Sequence, residues 1–237
     1  MNQRICITGV SRGLGLRLAK DALESGARVI GVSRTQTPEC LVLQEEFGER
    51  FEHIALDLGQ AAERTAALKR LMPLNRPTDV LILNAALAVD GLATDLPLED
   101  VQQMFEVNVF AGMELGRQFI RNRLAHGGGG QIITISSVAA HEGFTGLSAY
   151  AASKAALEAW TRTIGREWKR KSIRANAVVA GFMDTAMTAS LSDAQRDRIF
   201  ERSPSGAPVS LQAVTDKVRW LLDQDSDGPS GQSYRIE

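Results

Sequence analysis

The sequence predicts an α/β fold: a doubly wound parallel sheet of about seven strands with helices on both faces. Two observations lead there. Short apolar runs alternate with stretches whose apolar residues recur at helical spacing, and they do so along the whole 237-residue chain. Strands that alternate with helices pair in parallel through right-handed crossovers.

Taken in order, strands are expected at Arg4–Thr8, Arg28–Val32, Glu52–Leu56, Asp79–Leu83, Gln131–Ile135, Ile173–Val179 and Gly231–Ile236. Helices are expected at Leu14–Glu24, Ala61–Leu71, Val101–Leu124, Ala151–Lys169 and Leu211–Leu222. Gly127–Gly130 is too short for a linker and sits where a helix must turn back into a strand. No internal repeat is evident, so residues 1–237 are expected to form a single domain.

Composition narrows the function. The chain is 44% hydrophobic and 23% charged, ordinary for a globular protein. A net charge of −1 provides no field to recruit nucleic acid or an anionic membrane. No apolar run approaches the ~20 residues that span a bilayer. The chain enters its first apolar run without a long apolar h-region, so no secretory signal is expected, and Cys6 and Cys40 read as buried reduced thiols. A cytoplasmic location is the expectation. His53 and His126 lack partners at metal spacing, and no metal is expected.

The first strand ends in Thr8-Gly9-Val10-Ser11-Arg12-Gly13-Leu14-Gly15 and runs straight into a helix. Glycines there let the backbone turn tightly and approach a pyrophosphate, whose charge rests on the helix N-terminus. An ordinary strand–helix loop is the plain alternative. The second strand ends in Val32-Ser33-Arg34, without the carboxylate that usually accepts from an NAD ribose. Arg34, with Arg12 on the same side, suits a 2′-phosphate instead, so NADP(H) is the expected cofactor. Asp57-Leu58 and Asn84-Ala85-Ala86 follow the third and fourth strands, at carboxyl ends where ligands of open sheets bind. Asp57 is equally suited to cap the following helix.

The stretch from Ser136 to Lys154 holds a hydroxyl, a phenol and an ammonium. Residues four apart share a helix face, so Tyr150 and Lys154 project together. A neighbouring ammonium is expected to lower the phenol toward neutrality and fit it for general acid–base work. Ser137, at the strand end, is placed to hydrogen-bond a carbonyl oxygen. An ordinary amphipathic pair is the competing reading of Tyr150 and Lys154 taken alone. Trp160 and Trp168 read as helix packing.

The Thr8–Gly15 loop, Asp57-Leu58, Asn84-Ala85-Ala86, Asn108, Ser137 and Tyr150-x-x-x-Lys154, in this order over nearly the whole chain, resemble the short-chain dehydrogenase/reductase superfamily. Within it the chain is most similar to 3-oxoacyl-(acyl-carrier-protein) reductases. The resemblance implies a Rossmann-type NAD(P)-binding domain that reduces a 3-oxoacyl thioester with NADPH. Tyr150 is then the proton donor, Ser137 the carbonyl orienter, Lys154 the nicotinamide-ribose binder and Asn108 part of a water-linked relay. It also brings Gly181, Met183 and Thr185 to the cofactor, with Ala180 where the family usually has proline.

A substrate lid is expected around residues 182–210, with a helix pair at Ala186–Arg202. His141, Phe144, Phe182 and Met187 are the candidate substrate contacts. Arg166, Lys169, Arg170, Lys171 and Arg174 read as a basic cluster at a helix end, suited either to the helix dipole or to an acidic acyl-carrier protein. The family resemblance implies a fatty-acid-biosynthesis role and a homotetramer or homodimer. The alternatives are a reductase of the same superfamily for a free ketone, alcohol, sugar or polyketide, and a non-catalytic NADP-sensing regulator.

Overall fold

The computed structural model describes residues 3–184 and 207–236. Seven parallel strands form one sheet in the order β3-β2-β1-β4-β5-β6-β7. They are β1 (Arg4–Thr8), β2 (Arg28–Ser33), β3 (Phe51–Ala55), β4 (Val80–Leu83), β5 (Gln131–Ser137), β6 (Arg174–Ala180) and β7 (Ser233–Ile236). The helices are α1 (Gly13–Glu24), α2 (Pro38–Phe47), α3 (Ala61–Leu71), α4 (Leu98–Phe105), α5 (Ala111–Ala125), α6 (Ser148–Glu167) and α7 (Leu211–Leu222). The doubly wound reading holds, with element ends moved by a few residues.

Alternation along each strand divides the core between two faces. Ile5, Ile7, Val29, Ile133 and Val178 meet the apolar stripes of α1 and α7 on one face. Cys6, Ile30, Leu81 and Ile132 meet Leu115 and Phe119 of α5 and Leu157 of α6 on the other. Both faces are therefore covered, as a parallel sheet requires. Trp160 and Trp168 pack at the edge of the second cluster, as their helical spacing predicts.

Two elements depart from the expectation. α2 was not foreseen, because its apolar residues form no stripe: Cys40 and Leu43 are buried, whereas Leu41 and Val42 are about half exposed. Its start is nonetheless well marked, since the Thr37 side chain accepts from the Cys40 N–H and Pro38 occupies the first turn. The expected helix at Val101–Leu124 begins earlier, at Leu98, and contains a π turn over Glu106–Phe110 between α4 and α5. The basic cluster also loses a member. Arg174 is 7% exposed, donating to the Gln131 side chain and the Gln224 carbonyl. It begins a strand whose residues are buried throughout, so it cannot join the exposed Arg166, Lys169, Arg170 and Lys171.

The strand order reverses between β1 and β4, which carry the glycine-rich loop and Asn84 at their carboxyl ends. An open α/β sheet forms its ligand crevice at such a point.

Candidate active site

The crevice begins with an uncapped helix. Arg12 precedes α1 in extended conformation, its side chain makes no capping bond, and no acidic residue stands in the first turn. The first N–H groups of α1 are therefore left for an anion. Gly9 has φ +77°, and a Cβ there would lie 2.9 Å from the Ala85 Cα. At Gly15 a Cβ would lie 2.1 Å from the Gly9 carbonyl oxygen. Gly13, at φ +58°, faces open space. The loop is thus folded tightly onto the end of β4 while leaving room on its outer side. Phosphates of a dinucleotide fit this cradle.

Thr8 and Asn84 close it. The Thr8 hydroxyl oxygen accepts from the Asn84 and Ala85 N–H groups at 3.0 Å each. The Asn84 side chain donates to the Thr8 carbonyl at 2.9 Å and to that of Gly9 at 3.3 Å. Asn84 is a brace for the loop, and Ala85 and Ala86 keep the ground beside it low. Ser11 is tied through its carbonyl to the Thr37 hydroxyl at 2.9 Å. Leu14 and Leu58 point into the core, which leaves only their backbones for a ligand.

At the ribose end Arg12 and Arg34 are both exposed. Ser33 is buried, its hydroxyl 3.0 Å from the Thr35 carbonyl and 2.8 Å from His53 Nε2. Asp57 folds its own turn by accepting from the Gly59 N–H at 2.8 Å. Arg64 was not anticipated. It is 1% exposed and pairs with Glu106 at 2.7 Å and Glu114 at 3.0 Å, while donating to the Leu58 carbonyl at 2.6 Å. It joins the loop after β3 to the π turn. Nothing in its local sequence marks it, because both acidic partners lie more than one helix away.

α6 is laced to the carboxyl end of β5, running opposite to it. Thr161 and Thr134 share a hydrogen bond of 2.8 Å, and Ser136 donates to Glu158 at 2.8 Å. Lys154 Nζ donates to the Ile135 carbonyl at 2.9 Å, and the Ser137 hydroxyl hydrogen-bonds the Tyr150 phenol. Successive turns of the helix therefore deliver Tyr150, Lys154 and Glu158 as one stripe. Asn108, 1% exposed in the π turn, donates to the Leu87 carbonyl and accepts from the Leu87 N–H, at 2.8 and 2.7 Å. It also donates to Ser153 at 2.9 Å, and Ser153 in turn donates to the Tyr150 carbonyl at 2.7 Å.

The electrostatics correct one expectation. Lys154 Nζ stands 5.8 Å from the Tyr150 ring centroid and does not pull the phenol down. Burial instead pushes Tyr150 up to about 12, against the opposing hydrogen bond from Ser137. Burial also lowers Lys154 to about 8. Near neutral pH the pair is phenol and ammonium, which suits proton donation to an oxygen held beside Ser137 and Tyr150.

Among the substrate candidates, His141 is partly exposed and its Nε2 lies 3.0 Å from Glu158. Phe144 sits half-buried in the same loop. Phe182 accepts through its carbonyl from the Val209 N–H at 2.7 Å, and Met183 packs against the core. Gly181 donates to the Ile236 carbonyl at 2.9 Å. Thr185, Met187 and the expected helix pair at 186–202 lie outside the described residues. Among those described, no group of three or more His, Cys, Asp or Glu is placed to hold a metal. Nor is any described helix long and apolar enough to cross a membrane.

Comparison with known proteins agrees with this geometry. A family model described as short chain dehydrogenase matches residues 3–196. The 3-oxoacyl-(acyl-carrier-protein) reductase of Escherichia coli K12 is 28% identical over 97% of this chain and 93% of its own. L-xylulose reductase of Bos taurus is 30% identical over 99% and 95%. A crystal structure of a short chain dehydrogenase from Burkholderia cenocepacia in complex with NADP superposes with a TM-score of 0.88 at 28% identity, covering 99% of this chain and 96% of that one.

Proposed function

The chain belongs to the short chain dehydrogenase family, and on that premise we propose that it is an NADPH-dependent reductase of a 3-oxoacyl thioester, carried on coenzyme A or an acyl-carrier protein. The observation that carries the reaction is the lacing of α6 onto β5, which sets a serine hydroxyl against a part-buried phenol with an ammonium one turn away. In this reading the α1 N-terminus, Arg12 and Arg34 would hold NADPH through its phosphates, and the cofactor when bound would supply the hydride for the carbonyl carbon.

The protein's own groups do the rest. Ser137 donates a hydrogen bond to the carbonyl oxygen as negative charge grows on it. Tyr150, protonated near neutral pH, gives that oxygen its proton and is left as a phenolate. Lys154, still largely cationic there and anchored to the Ile135 carbonyl, is placed to donate to the hydroxyls of the cofactor's nicotinamide ribose. Asn108 holds the Leu87 backbone and Ser153 behind Tyr150, where a water-linked relay would restore the proton. The pocket wall would come from His141, Phe144 and Phe182, and a carrier protein would meet Arg170 and Lys171.

The acyl reading rests on the similarity to 3-oxoacyl reductases. A sugar or other free ketone is the second reading, favoured by the equal likeness to L-xylulose reductase. A panel of 3-oxoacyl thioesters and ketoses, followed by NADPH oxidation, separates them. Turnover of thioesters at least about tenfold more efficient than of ketoses supports the first. The reverse ranking replaces it.

A further inference from the structure

One buried acid lies beside this machinery and has no part in the reaction just described. Glu158 is 1% exposed and stands one turn beyond Lys154 on the same stripe of α6. Its carboxylate takes four side-chain partners. Ser136 of β5 donates at 2.8 Å and Ser233 of β7 at 2.7 Å. His141 of the 138–147 loop lies at 3.0 Å, and Arg162 of α6 donates at 2.9 Å. Burial alone would raise this carboxyl, but the hydrogen bonds from Ser233, Ser136 and His141 outweigh it and hold Glu158 below the usual range.

A second tie runs beside the first. Arg235 of β7 pairs with Glu142, the neighbour of His141. The 138–147 loop lies between Ser137 and Tyr150 in sequence, and its far end is held by Gly146 accepting from the Gly91 N–H at 3.0 Å. Glu158 and β7 thus hold it at His141 and Glu142. A carboxylate is suited to that junction because it is acceptor-only and has about four lone-pair sites to offer. Glutamine would turn an N–H against donors such as Arg162. An apolar residue would fill the space and hold nothing.

We infer that Glu158 is a positioning residue: it fastens the C-terminal strand and the 138–147 loop to the Ser136–Ser137 strand end, so that β7 sets the substrate wall while the cofactor cradle is left alone. The inference rests on the proposed reading that Ser137 and Tyr150 face a carbonyl substrate. It adds β7 to the residues that decide how that substrate is held.

The test uses the full chain with Ser233→Ala, Glu158→Gln and Tyr150→Phe. Carbonyl KM, NADPH Kd by fluorescence and amide exchange of residues 138–147 are measured for each. Ser233→Ala is expected to raise carbonyl KM about threefold and Glu158→Gln about tenfold, with NADPH Kd unchanged. Both should speed exchange across 138–147 and leave the Gly9–Gly15 amides as they were. Unchanged KM and unchanged loop exchange in Ser233→Ala overturns the inference, even if Glu158→Gln fails to fold. Equal weakening of carbonyl and NADPH binding overturns it too, since that marks general loosening. Parent-like turnover by Tyr150→Phe would instead remove the proposed reaction, and loop exchange would still decide the tie.

Discussion

Lys154 Nζ lies 2.9 Å from the carbonyl oxygen of Ile135, so the ammonium that sequence spacing pairs with Tyr150 is anchored to a strand. Its charge is held where solvent is excluded, and burial lowers it to about 8. The ion is kept at a cost to the fold.

Lys154→Met measures that cost. Below about pH 8 the cation is present in both folded and unfolded chains, and the fold carries the whole penalty of burying it. Between about 8 and 10.5 the unfolded chain binds more protons, so this residue makes stability rise with pH. Cys6, raised by burial to about 12 from 9.0, acts in the opposite sense above 9.0. In thermal unfolding the variant should gain about 2–4 °C per kcal/mol recovered at neutral pH and lose turnover. A midpoint at or below that of the parent contradicts the assignment.

Tyr150→Phe should lower turnover by about 10²–10⁴-fold, the usual weight of a positioned proton donor, with NADPH affinity retained. Ser137→Ala removes the hydrogen bond that opposes the upward shift of Tyr150. The phenol then rises further. Alcohol oxidation, which needs the phenolate, should require still higher pH in that variant. Initial rates in both directions across pH are the measurement, and an unmoved oxidation limb argues against the Ser137–Tyr150 bond.

Gly15→Ala and Gly13→Ala should part company. A Cβ at Gly15 would meet the Gly9 carbonyl at 2.1 Å, whereas at Gly13 it would meet nothing within 4 Å and only the backbone φ of +58° is unfavourable. Backbone overlap of the first kind costs about 1–3 kcal/mol or more, and strain of the second about 1 kcal/mol. Denaturant unfolding should rank Gly15→Ala as the less stable. Equal losses would mean that the loop is not packed on β4 as described.

Arg34→Asp should reverse cofactor choice. Losing one charge-assisted hydrogen bond to a 2′-phosphate reduces NADPH affinity about ten- to hundredfold, and the new carboxylate can accept from an NADH ribose. Titration with each cofactor reads this directly. An unaltered NADPH to NADH ratio would remove Arg34 from the site.

The strands of this fold were legible because parallel strands buried on both faces read as apolar runs, as at Arg4–Thr8 and Gln131–Ser137. The ordered motifs made the crevice residues legible as well. α2 was not, since Leu41 and Val42 face outward and erase its stripe. The π turn left no mark, because periodicity over Val101–Leu124 survives one extra residue in a turn. Arg64 and Glu158 escaped for a different reason: the donors and acceptors that bury them come from distant elements. Glu158 did offer a clue, in standing four residues beyond Lys154.

The lacing of α6 onto β5 also bears on the order in which the molecule assembles. Its ties close segments of 19, 22 and 27 residues, whereas the Thr8–Asn84 brace joins positions 76 apart. Closing a chain segment costs more entropy as it lengthens, and non-local pairings come late for that reason. Refolding should therefore protect the amides of 134–161 before those of Gly9–Gly15. The reacting groups are set by near neighbours in the chain, and the cradle for their cofactor waits for remote strands to meet.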